Sequence, residues 1–91
     1  MARAEVRKLS GELAATRFAF IERGEHTLQD VYEAVKNRYP ELCDDSYLCI
    51  QHCAKGQRQP EWRHTVRTTL TRLKASPGIE RGSRRGFWRF T

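Results

Sequence analysis

Residues 60–74, PEWRHTVRTTLTRLK, decide the fold of this 91-residue chain. Val66, Leu70 and Leu73 recur at the spacing that places apolar side chains on one stripe of a helix. At about 100° per residue, the opposite face carries Glu61, His64, Thr68, Thr71 and Arg72, with Arg67 on its flank. Short polar groups and arginines can meet phosphates and base edges in a DNA major groove, although a charged helix face is often only solvated.

The sequence after this helix predicts a β-hairpin with a basic turn. Ile79–Arg81 is the first strand, Gly82–Gly86 is the turn and Phe87–Phe90 is the returning strand. Glycines at both ends of the turn allow the positive φ angles of a tight hairpin. Trp88 and Phe90 alternate onto one face, which we assign to the core.

A helix followed by a basic hairpin is typical of a winged helix-turn-helix. The predicted fold class is therefore α+β, with three main helices, a further short helix in an insertion, and a C-terminal β-hairpin wing. The predicted single domain covers 1–91: helix 1 at about 2–23, helix 2 at about 28–39, an insertion at 41–59, a recognition helix at 60–74 and a wing at 79–90.

The second helix has a clear start signal. Thr27 precedes it as a cap, and Asp30 lies three residues on, as in an aspartate version of the capping box. Gly24 is placed to end the first helix, and the short link from Glu25 to Thr27 is a candidate first strand. Pro40 ends the second helix.

The connection over residues 41–59 is longer than the three or four residues of an ordinary helix-turn-helix. Its apolar content argues for order, with a short helix around Ser46 to Cys53. It also carries a candidate zinc site of Cys₃His type, formed by Cys43, Cys49, His52 and Cys53. The alternative, which the spacing favours, is three thiols that act as small hydrophobes, since strong zinc signals are paired C-x₂-C units. The sequence predicts no other cofactor.

Charge is unevenly distributed along the chain. Residues 1–54 hold seven Lys/Arg against nine Asp/Glu, whereas residues 55–91 hold ten against two, eight of the ten being arginine. The overall charge is +6. Arginine forks suit phosphates and guanine edges, so this basic half points to nucleic acid.

Other functional classes find little support in the residues. The chain has neither a long apolar run nor a secretory leader, so we expect a cytoplasmic protein without a membrane partner. Three cysteines do not suggest a disulfide framework. Because no nucleophile, base and orienting group stand out and no nuclease motif is present, we expect no enzyme activity from this chain by itself.

Trp62 has two interpretations. Helical phase places it one turn before Val66, at the edge of the core stripe. Alternatively, its indole faces the groove and packs on a base methyl group, with Tyr47 contributing from the insertion.

The segment PEWRHTVRTTLTRLK…GIERGSRRGFWRF resembles the winged-helix modules of modification-dependent restriction endonucleases, including the N-terminal domain of Mrr-type enzymes and modules attached to HNH or PD-(D/E)xK nucleases. The matching residues are Pro60, Trp62, Val66, Arg67, Leu70, Leu73, Ile79, Glu80, Arg81, Arg85, Gly86, Trp88 and Arg89. LQDVYEAV is similar to the family's second helix, and LCDDSYLC to the cysteine-bearing insertion of one branch, so the resemblance covers roughly residues 20–91.

The resemblance implies binding of double-stranded DNA, in some relatives with N6-methyladenine, and a nuclease domain elsewhere in the parent protein. The predicted DNA-binding residues are Arg58, Gln59, Trp62, Arg63, His64, Arg67, Thr68, Thr71, Arg81, Ser83, Arg84 and Arg85. Three alternatives stay open: a transcription regulator without methyl specificity, a winged helix whose basic half binds an acidic protein, and a zinc-dependent regulatory module.

Overall fold

The computed structural model describes residues 4–48, 59–74 and 78–91. In chain order the elements are α1 (Ala4–Thr16), β1 (Gly24–Thr27), α2 (Leu28–Arg38), a short 3-10 helix (Pro40–Leu42), α3 (Glu61–Leu73), β2 (Ile79–Arg81) and β3 (Phe87–Phe90). The fold is α+β: three α-helices and a small antiparallel sheet of strand order β1-β3-β2. This arrangement is compatible with the predicted winged helix.

The first helix is shorter than the predicted 2–23, since α1 ends at Thr16. Arg17 and Phe18 follow in the left-handed region, with φ angles of 53° and 58°. A continuous helix would turn Phe18 about 140° away from the stripe that ends at Leu13. Leaving the helix here buries both Phe18 (1% exposed) and Ile21 (9%), and the apolar burial offsets the cost of two left-handed residues.

The second helix begins as the sequence predicts. The Thr27 hydroxyl accepts a hydrogen bond from the Asp30 amide (3.0 Å), and the Asp30 carboxylate accepts one from the Thr27 amide (3.1 Å). This reciprocal pair satisfies two amides that the first turn of a helix leaves without partners.

One core joins the three helices to the inner face of the sheet. Leu9 and Leu13 of α1, Val31 and Val35 of α2, and Val66 and Leu70 of α3 are fully buried. The core face of the sheet contributes Ile79, Trp88 and Phe90, as the alternation in β3 predicts.

Backbone contacts join the described first part of the insertion to the residues at the start of α3. Leu48 and Pro60 form an isolated antiparallel bridge, and the Glu61 amide donates to the Tyr47 carbonyl (2.8 Å). The described short helix lies at Pro40–Leu42, before the predicted position. Residues 46–48 form a turn and the bridge, and Cys49–Cys53 lies outside the described residues.

Gly82 and Gly86 are both needed in the hairpin, but for different reasons. Gly86 has a φ of +85°, as predicted. Gly82 does not have a positive φ, so the prediction was wrong there. Instead, a Cβ atom on Gly82 would lie 2.7 Å from the Cβ of Phe87 and 2.9 Å from its carbonyl carbon, and would also clash with the Glu25 carboxylate.

We therefore expect Gly82→Ala to lower the free energy of unfolding by about 1–3 kcal/mol, the usual cost of forcing extra volume into a tight contact. Gly11→Ala is the matched control, because Gly11 lies within α1 with nothing within 4 Å of an added Cβ. Alanine there should raise the stability by about 0.5–1 kcal/mol. Urea denaturation followed by circular dichroism measures both changes, and equal effects of the two variants would contradict the close approach at Gly82.

Candidate nucleic-acid interface

The solvent-facing side of α3 is basic and polar. Thr68 and Thr71 are exposed, and Arg63, His64 and Arg67 are half-exposed. All five are predicted DNA-binding residues. At 100° per residue, four of them lie on the side of α3 opposite its buried residues, and Arg63 lies on the flank, next to the buried Leu70. The buried side is wider than the apolar stripe of the sequence, because it also holds Trp62, Thr65 and Thr69.

The two buried threonines are compatible with a core because their hydroxyls bond to their own helix. Thr65 donates to the Glu61 carbonyl (3.1 Å) and Thr69 donates to the Thr65 carbonyl (2.8 Å). A polar group that is hydrogen-bonded inside the helix avoids most of the cost of burial.

Trp62 points into the core and not towards a groove. Only 2% of the residue is exposed, and its indole N–H donates to Asp45 Oδ1 at 2.8 Å. The predicted contact between this indole and a base or a methyl group is therefore wrong. Tyr47 is half-buried, and its carbonyl, which accepts from Glu61, fastens the insertion to the start of α3.

Asp45 connects α2 to α3. Its second carboxylate oxygen pairs with the Lys36 ammonium, while the first accepts the Trp62 indole N–H. The hydrogen bond from Lys36, and after it the one from Trp62, lowers the pKa of Asp45 below its ordinary value. The Lys36 ammonium is thus paired with a carboxylate of the protein and is not a free cation at the interface.

The wing presents four of the predicted residues, all exposed: Arg81 at the end of β2, and Ser83, Arg84 and Arg85 in the turn. Arg81 lies over the Trp88 ring (4.9 Å to its centroid), and Arg84 lies over the Phe87 ring (4.7 Å). Stacking on aromatic faces limits the motion of these guanidinium groups while their charge stays in water.

Ser83 has a structural role that the sequence did not indicate. Its hydroxyl donates to Glu25 Oε1 at 2.8 Å, and its amide donates to the same oxygen. These two hydrogen bonds, with the nearby Arg89 and Arg84, lower the pKa of Glu25 from its usual 4.5. Because the pKa of Glu25 is lowered in the folded state, its contact with Ser83 contributes fully to stability above the ordinary pKa. This contribution is lost as the pH falls through the lowered pKa.

The outer face of the sheet places one guanidinium between two carboxylates. Glu25 in β1 and Glu80 in β2 flank Arg89 in β3 in register, and an Arg89 guanidinium N–H donates to Glu80 Oε1 at 3.0 Å. Arg89 is therefore neutralised by its own sheet. By contrast, Arg63, Arg67, Arg81, Arg84 and Arg85 take part in no ion pair among the described residues.

A cleft of about 220 Å³ lies between α1 and α3, beside the basic face. Its α1 side is formed by Val6, Arg7 and Ser10, and its α3 side by His64, Thr65, Thr68 and Thr69. Arg7 is exposed, and no sequence signal indicated that it would lie next to two predicted DNA-binding residues.

The zinc prediction falls mostly outside the described residues, since Cys49, His52 and Cys53 are not among them. Cys43 is buried, and this burial raises the pKa of its thiol to about 11. Among the described residues, no group of three or more His, Cys, Asp or Glu side chains could hold a metal ion.

Two other predicted residues precede α3 in the sequence. Gln59 is half-buried, and its side-chain oxygen is shielded from solvent without a hydrogen-bond partner. Arg58 lies outside the described residues.

None of the helices that the structure describes combines the length and the apolar character needed to span a lipid bilayer. No protein-family model matches this chain, and no curated protein or solved structure does so either.

Proposed function

We propose that this chain is a double-stranded DNA-binding module of the winged-helix type, with α3 as the recognition helix and the hairpin β2–β3 as the wing. The observation that carries the proposal is the pairing of charges. The arginines on α3 and in the wing turn take part in no ion pair among the described residues, while Glu25, Asp45 and Glu80 are each engaged by a partner within the protein. Cations that are exposed and unpaired are available to phosphates.

The order of the elements supports the same proposal. In chain order α3 is followed by β2, and β2 pairs with β3 across a turn that carries the exposed Arg84 and Arg85. α3 would enter the major groove, and the wing arginines would hold the adjacent backbone. Arg63, His64, Arg67, Thr68 and Thr71 are the proposed contacts from α3.

The resemblance to modification-dependent restriction endonucleases extends the proposal to duplexes that carry N6-methyladenine, with DNA cleavage assigned to a nuclease domain elsewhere in the parent protein. Burial of Trp62 removes the indole from the predicted methyl contact. A preference for methylated DNA would then depend on other residues, such as Tyr47 or those on the exposed face of α3.

Fluorescence anisotropy with a randomised duplex pool, with and without N6-methyladenine, tests the proposal. We expect binding whose affinity falls steeply with salt, since each neutralised phosphate adds about 0.9 to the slope of log affinity against log salt. Tighter binding to the methylated pool would support a reader of modified DNA. The absence of duplex binding at moderate salt would refute the proposal and favour an acidic protein partner.

The wing contributes a separate prediction. Arg84→Ala should weaken binding to all sequences alike and should reduce the salt slope by about 1, because it removes one phosphate contact. Arg89→Ala is the matched control, since its guanidinium is paired with Glu80 and lies between two carboxylates of its own sheet. Anisotropy titrations at several salt concentrations measure both slopes, and an equal loss in the two variants would contradict the role of the wing turn.

A further inference from the structure

Arg63 is held by aromatic rings near the start of α3. It is the third residue of that helix, and its guanidinium carbon lies 5.3 Å from the centroid of the Tyr32 ring and 5.5 Å from that of Trp62. Both distances are within the range of a cation–π contact. The half-exposed Arg63 therefore rests on rings from α2 and α3 that are themselves buried.

These rings are fixed in turn by other groups. Tyr32 meets Trp62 edge to face, with centroids 5.7 Å apart and an interplanar angle of 78°. The Trp62 indole N–H is held by Asp45, which Lys36 also engages. Contacts from α2, the insertion and α3 thus converge on the surface against which Arg63 lies.

The hydrogen-bond donors of the Arg63 guanidinium differ in their exposure to solvent. Its Nε atom is shielded from solvent and has no hydrogen-bond partner. Because a guanidinium carries five N–H donors, the two terminal amino groups remain for a ligand. A planar fork whose side chain is already ordered loses less rotamer entropy when it forms two parallel hydrogen bonds.

We infer that Arg63 recognises guanine in the major groove and that Tyr32 and Trp62 are the positioning residues that hold its guanidinium for that contact. The inference rests on the proposed function. Residues near the N-terminus of a recognition helix contact base edges, and an arginine fork matches the O6 and N7 acceptors of guanine. Adenine also has the N7 acceptor but carries an amino donor in place of O6. Arg67, one turn later, has a similarly shielded Nε, but no aromatic ring in the described part of the chain lies beneath its guanidinium, and we assign it to phosphate.

The test begins with the duplexes that the full chain selects from a randomised pool. Each guanine of the selected site is replaced in turn by 7-deazaguanine, which lacks the N7 acceptor, and separately by hypoxanthine. Hypoxanthine keeps O6 and N7 and lacks only the minor-groove amino group. We expect 7-deazaguanine at one position to weaken binding by about fivefold or more, within the range of a bidentate pair, and hypoxanthine at that position to have little effect.

Protein variants then test whether Arg63 causes the weaker binding to the 7-deazaguanine duplex. Arg63→Met keeps an unbranched apolar stem and removes every N–H donor, so the ratio of affinities for the guanine and 7-deazaguanine duplexes should fall towards one. Tyr32→Leu should lower the same ratio, and Tyr32→Phe should retain it. Arg67→Met, which loses the same charge, should leave the ratio unchanged. The ratio is taken within each variant, so a reduced folded fraction does not affect it.

The outcomes separate the two proposals. Duplex binding that is indifferent to 7-deazaguanine, or a ratio that Arg63→Met leaves at its original value, would overturn the inference alone. A lowered ratio in Arg67→Met, with Arg63→Met unaffected, would do the same. A protein that binds no duplex would overturn the proposed function and this inference together.

Discussion

Trp62→Ala is expected to lower the free energy of unfolding by about 3–5 kcal/mol, the range for removing a large aromatic side chain from a core. Trp62 is among the largest fully buried side chains of the described residues, at 2% exposed. Its loss would leave a cavity between α2 and α3, remove the edge-to-face contact with Tyr32 and release Asp45 from the indole N–H. Single domains of this size have about 5–15 kcal/mol of stability, so much of it would disappear.

Trp62→Phe is the matched control, because it keeps an aromatic ring in the core and removes the indole N–H. The side chain of Asp45 is about half exposed, so water can replace the lost donor and the hydrogen bond itself should account for about 0.5–1.5 kcal/mol. Urea denaturation followed by circular dichroism gives both values. A loss below about 1 kcal/mol in Trp62→Ala would contradict the core position of this residue.

The same variants bear on methyl recognition. If Trp62 serves the core, its replacement by phenylalanine leaves the ratio of affinities for methylated and unmethylated duplexes unchanged. A change in that ratio without loss of stability would restore the groove-facing interpretation that the sequence allowed.

Trp62 also illustrates why part of the site could not be predicted from the sequence. Helical phase places it at the edge of the apolar stripe, where both orientations are open. Its position depends on Asp45, 17 residues earlier, which supplies the acceptor for the indole N–H. Ser83 is a similar case, since its partner Glu25 is 58 residues away. Neither pairing leaves a periodic or local signal.

Local signals, by contrast, predicted the elements well. The Thr27–Asp30 pair marks the start of α2, and the spacing of Val66, Leu70 and Leu73 predicts α3 to within one residue at each end. The end of α1 was missed because Phe20 and Ile21 continue an imperfect helical pattern. Burial of Phe18 together with Ile21 instead requires the chain to leave the helix after Thr16. Thr65 and Thr69 were also missed as core residues, because the prediction of the core used only apolar side chains. Their hydroxyls donate to carbonyls of their own helix, which makes burial possible.

The second large effect is expected from Arg67→Glu, which should weaken duplex binding by on the order of 100-fold at about 0.1 M salt. The change removes one phosphate contact and adds an anion that repels the DNA backbone. Arg67 is half-exposed on the solvent-facing side of α3 and takes part in no ion pair among the described residues. Its reversal should therefore change the stability by no more than about 0.5 kcal/mol, as for other surface substitutions.

Lys8→Glu is the control that separates a specific surface from net charge. Both variants reduce the formal charge of the chain from +6 to +4. Lys8 is exposed on α1, about 100° further round the helix than Arg7, which lines the cleft beside α3. With Lys8→Glu we expect a loss of only about twofold to threefold, since charges beyond a Debye length of about 10 Å are largely screened at this salt. Equal losses in anisotropy titrations would mean that overall charge, and not the face of α3, attracts the duplex. A loss confined to Arg67→Glu would assign DNA contact to that face, because the two proteins differ only in where the negative charge is placed.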